Sequence, residues 1–172
     1  MNSGVSLKPV VMGGGQERGL RSGTENVAGV VGFAQAMEEA RKHTVNERVR
    51  LNKLKLDLKK KIEEGVENIR FIGNEKRQLV NYLSIAVMGV DAERLVFLLE
   101  QSGVLVSTGA ACSANKGTQS HVLKAIGLGD DDIRGSLRFT LGRLNDEQSI
   151  ERAGKLIVDV IDKERKRVGY VG

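Results

Sequence analysis

The sequence predicts a mixed α/β (α+β) fold in which helices pack on a small sheet. Three observations carry that expectation. Two long segments with apolar residues at helical spacing open the chain, shorter segments with alternating apolar residues follow, and further helical patterns lie between them. No Pro-rich linker, repeat or low-complexity tract divides the 172 residues, so 1–172 is expected to form one domain, long enough to bury a core.

The elements are expected in this order. Val5 to Met12 reads as a short strand, followed by the glycines at 13–15. A helix is expected over about 25–42, with Val27, Val30, Val31, Ala34 and Met37 at helical spacing. Thr24 is placed to cap it, because a hydroxyl there can accept from the unpaired N–H groups of the first turn. A break is expected at 44–46, then a second helix with Leu51, Leu54, Leu58 and Ile62 on one face, ending near Gly65. Leu83, Ile85 and Val87 alternate with small or polar residues and predict a strand. Asp91 is expected to cap a helix carrying Leu95, Leu98 and Leu99, which Gly103 ends. Val104 and Val106 suggest a short strand, and 107–118, rich in Ser, Gly, Ala and Thr, a loop. A brief helix over about 120–126 closes at Gly127, and Leu137, Phe139 and Leu141 alternate as a strand. Asn145 is expected to cap the last helix, whose core face is Ile150, Ala153, Ile157, Val160 and Ile161.

Composition excludes several functions. Hydrophobic residues make up 40% and charged residues 28%, values of an ordinary globular protein, and with aromatics at 3% aliphatic side chains must fill the core. The net charge of +5 and pI near 9.4 would suit nucleic acid or a membrane surface. The basic residues, however, concentrate in Lys53–Lys61 and Lys163–Arg167, inside helical patterns, and read as solvated helix faces. No aromatic residues interleave with them to stack on bases, so no nucleic-acid partner is expected. No apolar run approaches the roughly 20 residues that span a bilayer, and the N-terminus lacks a signal-peptide pattern. A cytoplasmic location without a membrane partner is expected. The single cysteine excludes an internal disulfide, a paired-thiol redox motif and a multi-cysteine zinc site.

Three segments carry potential chemistry. The run from Gly13 to Thr24 holds five glycines, Arg18, Arg21 and a hydroxyl, and leads into a helix. Backbone N–H groups at a helix start suit a phosphate or carboxylate, while the same pattern also describes a connector before an ordinary capped helix. Both readings stand. No Walker or dinucleotide fingerprint is present, so ATP and NAD are not indicated. Cys112 lies among Ser107-Thr108-Gly109-Ala110-Ala111 and Ser113-Ala114-Asn115-Lys116-Gly117. A lone cysteine is commonly a small buried hydrophobe, but small, polar, loop-forming neighbours fit a nucleophile that must move. Arg138 sits between Leu137 and Phe139, so in a strand it points to the opposite face. It would grip a carboxylate if that face lined a cleft; from the strand pattern alone a surface charge is the better supported reading.

Together these segments resemble a known family. GGGQERGLRSGTENVAGVVGFAQA is similar to the glycine-rich segment and following helix of cysteine desulfurases. VLVSTGAACSANKGTQSHVLKAIGL resembles their active-site cysteine loop and next helix, and SLRFTLGRLNDEQSI their succeeding strand and helix. The three occur in the family's order over almost the whole chain. The resemblance implies the C-terminal small domain of a fold type I, class V pyridoxal-phosphate transferase, with helices on a small, mainly antiparallel sheet. It implies that Cys112 forms the persulfide, that Arg138 holds the α-carboxylate of L-cysteine, and that Thr24 reaches the phosphate of pyridoxal 5'-phosphate across a dimer interface. The long cysteine loop resembles the NifS/IscS class. No resident metal is implied; at most Cys112 would ligate an iron–sulfur cluster transiently.

The implied reaction takes sulfur from L-cysteine, leaves L-alanine, and passes the persulfide to a sulfur acceptor or iron–sulfur scaffold protein, for cluster assembly or tRNA thiolation. The family's cofactor domain precedes the matching segment, and the Ser-Gly-His-Lys motif whose lysine carries the cofactor does not occur in these 172 residues. Neither Lys8 nor Lys116 lies in a matching context. The chain alone is therefore expected not to desulfurate cysteine. Helices that would pack on the cofactor domain are expected to expose apolar surface and to favour a homodimer or association with a separate cofactor half. A sulfur carrier or protein-interaction module working without pyridoxal phosphate, and an inactive remnant, are the alternatives.

Overall fold

The computed structural model describes residues 4–74, 76–109 and 120–170. Its backbone separates into two compact units, 1–45 and 46–172.

In the first unit, residues 4–26 are irregular apart from one 3-10 turn at Glu17–Gly19. The strand expected at Val5–Met12 does not form. Pro9 removes a ladder donor, and among the described residues no neighbouring strand pairs with the segment. Helix α1 spans Val27–Gly65, and the break expected at 44–46 is absent. No Gly or Pro lies between Phe33 and Glu64, and the Thr44 hydroxyl donates to the Ala40 carbonyl at 2.6 Å, inside the helix's own ladder. Ion pairs Arg41–Glu38 and Lys42–Glu39 flank the point where the break was expected. The helix cap is Asn26 rather than Thr24: the Gly29 N–H donates to Asn26 Oδ1 at 3.0 Å.

The second unit is built on four antiparallel strands in the order β1-β2-β4-β3. These are β1 (Ile69–Ile72), β2 (Tyr82–Val87), β3 (Ser107–Thr108) and β4 (Ser136–Thr140). Strand β1 and the short helix α4 (Asp130–Arg134) have no counterpart in the sequence expectation. β3 falls one to three residues after the expected Val104 and Val106, because only Ser107 and Thr108 are in register with β4. Leu83, Ile85 and Val87 of β2 and Leu137 and Phe139 of β4 share one sheet face and are all buried.

Leu51, Leu54, Leu58 and Ile62 of α1 cover that face, together with Leu95 and Leu99 of α2 (Ala92–Gln101) and Ile150, Ile157 and Ile161 of α5 (Glu147–Val168). α1 and α5 approach closely because Gly65 faces Val158 and Gly154 faces the Lys61 stem; a Cβ at either glycine would collide. Asp91 caps α2 as expected, accepting from Glu93 and Arg94 N–H groups. Asp146, not Asn145, caps α5: its carboxylate accepts from the Ser149 N–H at 2.7 Å, and the Ser149 hydroxyl closes the capping box. Asn145 instead accepts from the Gly142 N–H within the preceding turn. Among the described residues no helix is long and apolar enough to cross a membrane.

Candidate functional site

The sheet face opposite the core carries the chemistry-bearing residues of the second unit. Register places Ile72, Ser84, Arg138 and Ser107 in one cross-strand row, and Arg70, Ala86 and Ser136 in the next. Arg138 thus lies between two serines on the face away from Leu137 and Phe139, as the alternation requires. That face is not open water at Arg138. The side chain is half-buried, and its Nε–H is shut away from solvent with no hydrogen-bond partner among the described residues. A buried guanidinium donor left unmade costs about 1–3 kcal/mol, so the position is poised for an acceptor.

Next to it, α4 packs against β2 and buries Asp132, which accepts from Arg70 Nη1 at 2.8 Å through one oxygen. Its other oxygen is buried without a partner among the described residues. Sequence reading missed Asp132, Arg70 and the flanking serines. Ser84 was legible in principle, because the alternation of Leu83 and Ile85 puts it on the far face; its pairing with Arg138 needs the register, which no local pattern supplies.

Strand β3 ends four residues before Cys112 in the sequence. Ser107 stands opposite Arg138, and two residues on the Gly109 N–H donates to the Ser136 carbonyl at 2.8 Å. Cys112 itself lies outside the described residues, as do Lys116 and the rest of 110–119. Beyond them Ser120, buried, caps α3 (His121–Ala125) by accepting from the Leu123 N–H at 3.2 Å. A separate cleft of about 560 Å³ opens where residues 103–106 diverge from β4, lined by Leu105, Thr140, Asn145 and Arg152; Arg138 does not line it.

In the first unit Thr24 is exposed, and its carbonyl accepts from Arg21 Nη1 at 3.4 Å. The preceding turn is tightly folded. Ser22, buried, donates its N–H to the Val11 carbonyl, and the Gln16 amide oxygen accepts from the Gly23 N–H at 3.2 Å. Glu17 and Arg18 hold positive φ of 50° and 58°, a left-handed conformation that costs roughly 1–2 kcal/mol per non-glycine residue. Two exposed arginines and an exposed hydroxyl therefore stand within a few residues of the start of α1.

The second unit thus carries helices on a small antiparallel sheet and, on the non-core face of that sheet, the half-buried Arg138. The aminotransferase class-V family matches residues 3–153, and the chain belongs to it. Its relatives are cysteine desulfurases. Over 168 residues it is 38% identical to cysteine desulfurase IscS 1 of Archaeoglobus fulgidus, covering 96% of this chain and 43% of that protein. The corresponding match to cysteine desulfurase IscS of Clostridium botulinum strain Hall is 34% identical, covering 96% and 42%. A solved NifS-like protein superposes with a TM-score of 0.78 at 32% identity, over 95% of this chain and 41% of the other. A NifS-like protein from Rickettsia africae gives 0.76 at 28% identity, over 92% and 41%. The chain spans about two fifths of the length of the relatives it matches.

The family depends on pyridoxal phosphate. The strained turn, Arg18, Arg21 and Thr24 fit the phosphate end of that group, being cationic and hydroxyl-bearing beside a helix start. The motif that supplies the cofactor lysine is not among these 172 residues.

Proposed function

We propose that this segment is the sulfur-accepting, C-terminal part of a cysteine desulfurase, working with a cofactor-bearing part in the assembled enzyme. Residues 1–172 act there as one C-terminal domain. The observation that carries the reading is the buried Nε of Arg138, without a partner among the described residues and opposite Ser107, five residues before Cys112 in the sequence. A carboxylate is the acceptor best matched to a planar guanidinium, and a zwitterionic amino acid presents one. Arg138 fixes the α-carboxylate of L-cysteine, with Ser84 and Ser107 flanking it. Thr24 would hold the cofactor phosphate through its hydroxyl.

When bound, pyridoxal phosphate supplies the electron sink that lets the Cβ–S bond of the substrate weaken. The Cys112 thiolate attacks the substrate sulfur; an S–S bond forms as the Cβ–S bond breaks, and the carbon skeleton takes up a proton to leave as L-alanine. Cysteine plus the protein thiol thus give alanine plus a protein persulfide, with no external oxidant. Cys112 then passes the outer sulfur to an acceptor or iron–sulfur scaffold protein, binding cluster iron at most in passing. Nothing in this reaction calls for a nucleic-acid or membrane surface, and it suits the reducing cytoplasm.

The test joins the chain to a cofactor-bearing half and measures alanine release from L-cysteine in the presence of pyridoxal phosphate. The chain alone is expected to release none. The assembled protein should be active, and Cys112→Ala should abolish the release. Alanine release that survives Cys112→Ala would overturn the assignment, as would cysteine-derived persulfide labelling of the isolated chain without cofactor.

A further inference from the structure

The segment holding Cys112 has both of its ends described, and they converge on one spot. Gly109, at its start, is tied to β4 by its N–H on the Ser136 carbonyl. No side chain fits there: a Cβ on Gly109 would collide with Ser136 Oγ and stand 2.9 Å from Leu123 Cδ1 and 3.0 Å from Ser136 Cβ. At the segment's end, buried Ser120 caps α3 through the N–H of the same Leu123. Gly109 and Ser120 therefore meet at one leucine.

The support beneath is rigid as well. The Ser136 hydroxyl donates to the Ile133 carbonyl at 2.9 Å, holding α4 to β4. Gly135 lies against the Val87 backbone so closely that a Cβ would strike the Val87 carbonyl, and its own carbonyl accepts from the Val87 N–H at 3.0 Å. Ser136, Leu123 and Ile133 are all buried. Ser136 is also only two residues from Arg138 on the same strand and the same face.

We infer that Gly109 and Ser136 are positioning residues, setting the base from which Cys112 reaches substrate sulfur relative to Arg138. The inference rests on the desulfurase reading and extends it. Strand β4 serves as the common ruler: Arg138 locates the substrate carboxylate, and Ser136, through Gly109, locates the start of the thiol's segment. Cys112 follows Gly109 by three residues in the sequence, which makes Gly109 the described backbone position nearest the thiol on its N-terminal side. The alternative use of a glycine here, a positive φ, does not apply, because Gly109 is not among the glycines of positive φ. Closeness of packing is what the position demands.

The test is a double-mutant cycle in the cofactor-loaded assembled enzyme. Gly109→Ala is expected to slow persulfide formation on Cys112 at saturating L-cysteine about tenfold, the order expected of a small misplacement of a reacting group. Its KM for cysteine should stay within about twofold, since Arg138 is untouched. Ser136→Ala, which removes the nearest obstructing atom, should bring Gly109→Ala back to within about threefold of its own single-variant rate. Ile133 does not lose its only donor in that variant, because the Gly135 N–H also reaches its carbonyl.

A second readout needs no cofactor. Cys112 is the only thiol of the chain, and its alkylation rate by iodoacetamide in the 172-residue protein should change at least about threefold in Gly109→Ala and return in the double variant. Unchanged persulfide kinetics and alkylation in a folded Gly109→Ala protein would overturn the inference, as would a loss that Ser136→Ala fails to relieve. Should Cys112→Ala and Arg138→Gln leave desulfuration intact, the functional reading itself falls. The two failures are thereby told apart. If Gly109→Ala does not fold, Leu123→Ala tests the same junction from the α3 side: it should alter persulfide formation with KM held, and an unaltered rate would overturn the inference.

Discussion

At the scale of single residues, the contrast between Arg138 and the other arginines is informative. Arg165 spends its guanidinium on the carbonyls of Glu67, Asn68 and Met88 and lies 4.9 Å from the Tyr170 ring centre. Arg50 binds Glu47 and the carbonyls of Asn145 and Gly142. Both clamp loops. Arg138 differs in holding a buried donor without an acceptor among the described residues. Arg138→Gln in the assembled enzyme should therefore raise the KM for L-cysteine roughly 10- to 100-fold, the equivalent of a charge-assisted hydrogen bond of about 1.5–3 kcal/mol. Arg138→Lys keeps the charge and loses the fork, so it should recover only part of that loss. An unchanged KM for either variant would remove Arg138 from the substrate site. The stability of the isolated chain should barely fall in Arg138→Gln, since its buried Nε loses no partner among the described residues. A chemical denaturation curve checks that half of the prediction without any activity.

At the scale of elements, helix α5 shows how charge and capping act together. The Asp146 carboxyl is held below its ordinary range, chiefly by the Ser149 N–H and then by the Ser149 hydroxyl. Glu151 is lowered by Lys61 first and then Lys155, and Glu164 by its bond to Arg167. A carboxyl whose folded pKa is depressed contributes stability above its unfolded pKa, near 3.9 for Asp, and loses it as pH falls through the folded value. Asp146→Ala should accordingly lower the urea midpoint at pH 6, and the gap to the parent should narrow as pH drops below about 4. A gap constant between pH 6 and pH 2.5 would show that the carboxylate is not the cap.

In the core, Ile157→Ala should cost about 2–5 kcal/mol, since Ile157 is fully buried between helix and sheet; calorimetry or urea unfolding reads it directly. The same elements show what sequence could tell. The core face of α5 and the strands at Leu83–Val87 and Leu137–Phe139 were legible, because burial repeats with the period of the element. The capping residue slipped by one, from Asn145 to Asp146, because adjacent Asn and Asp offer equivalent acceptors and only the turn geometry selects between them. Strand β1 escaped because Ile69-Arg70-Phe71-Ile72 is too short for alternation to register. The family was legible through its motifs, and long-range contacts such as Arg70 with Asp132 across 62 positions were not.

At the scale of the whole molecule, the first half of α1 poses the remaining question. Val27, Val30, Val31, Phe33 and Met37 are each more than half exposed, on one broad stripe of a helix that nothing in the first unit covers. The second half of the same helix shows the opposite state, with Leu51, Leu54, Leu58 and Ile62 buried against the sheet. One helix thus carries a satisfied apolar stripe and an unsatisfied one. The chain spans about two fifths of its relatives' length, and the prediction made for the open stripe is that it seats a further copy of this chain or a cofactor-bearing half. The isolated chain should then satisfy the stripe with itself and self-associate in a concentration-dependent way, measured by light scattering on a sizing column. Val30→Glu with Phe33→Glu should shift it toward monomer while leaving far-ultraviolet circular dichroism and the urea midpoint unchanged, because neither side chain belongs to the core. The same pair of substitutions should weaken complementation by a cofactor-bearing half about tenfold or more if the stripe is the shared seat, as the burial of two large apolar side chains at roughly 1.5 kcal/mol or more each implies. A chain that remains monomeric at high concentration, or complementation indifferent to both glutamates, would show instead that the stripe stays wet and that the cofactor half docks elsewhere.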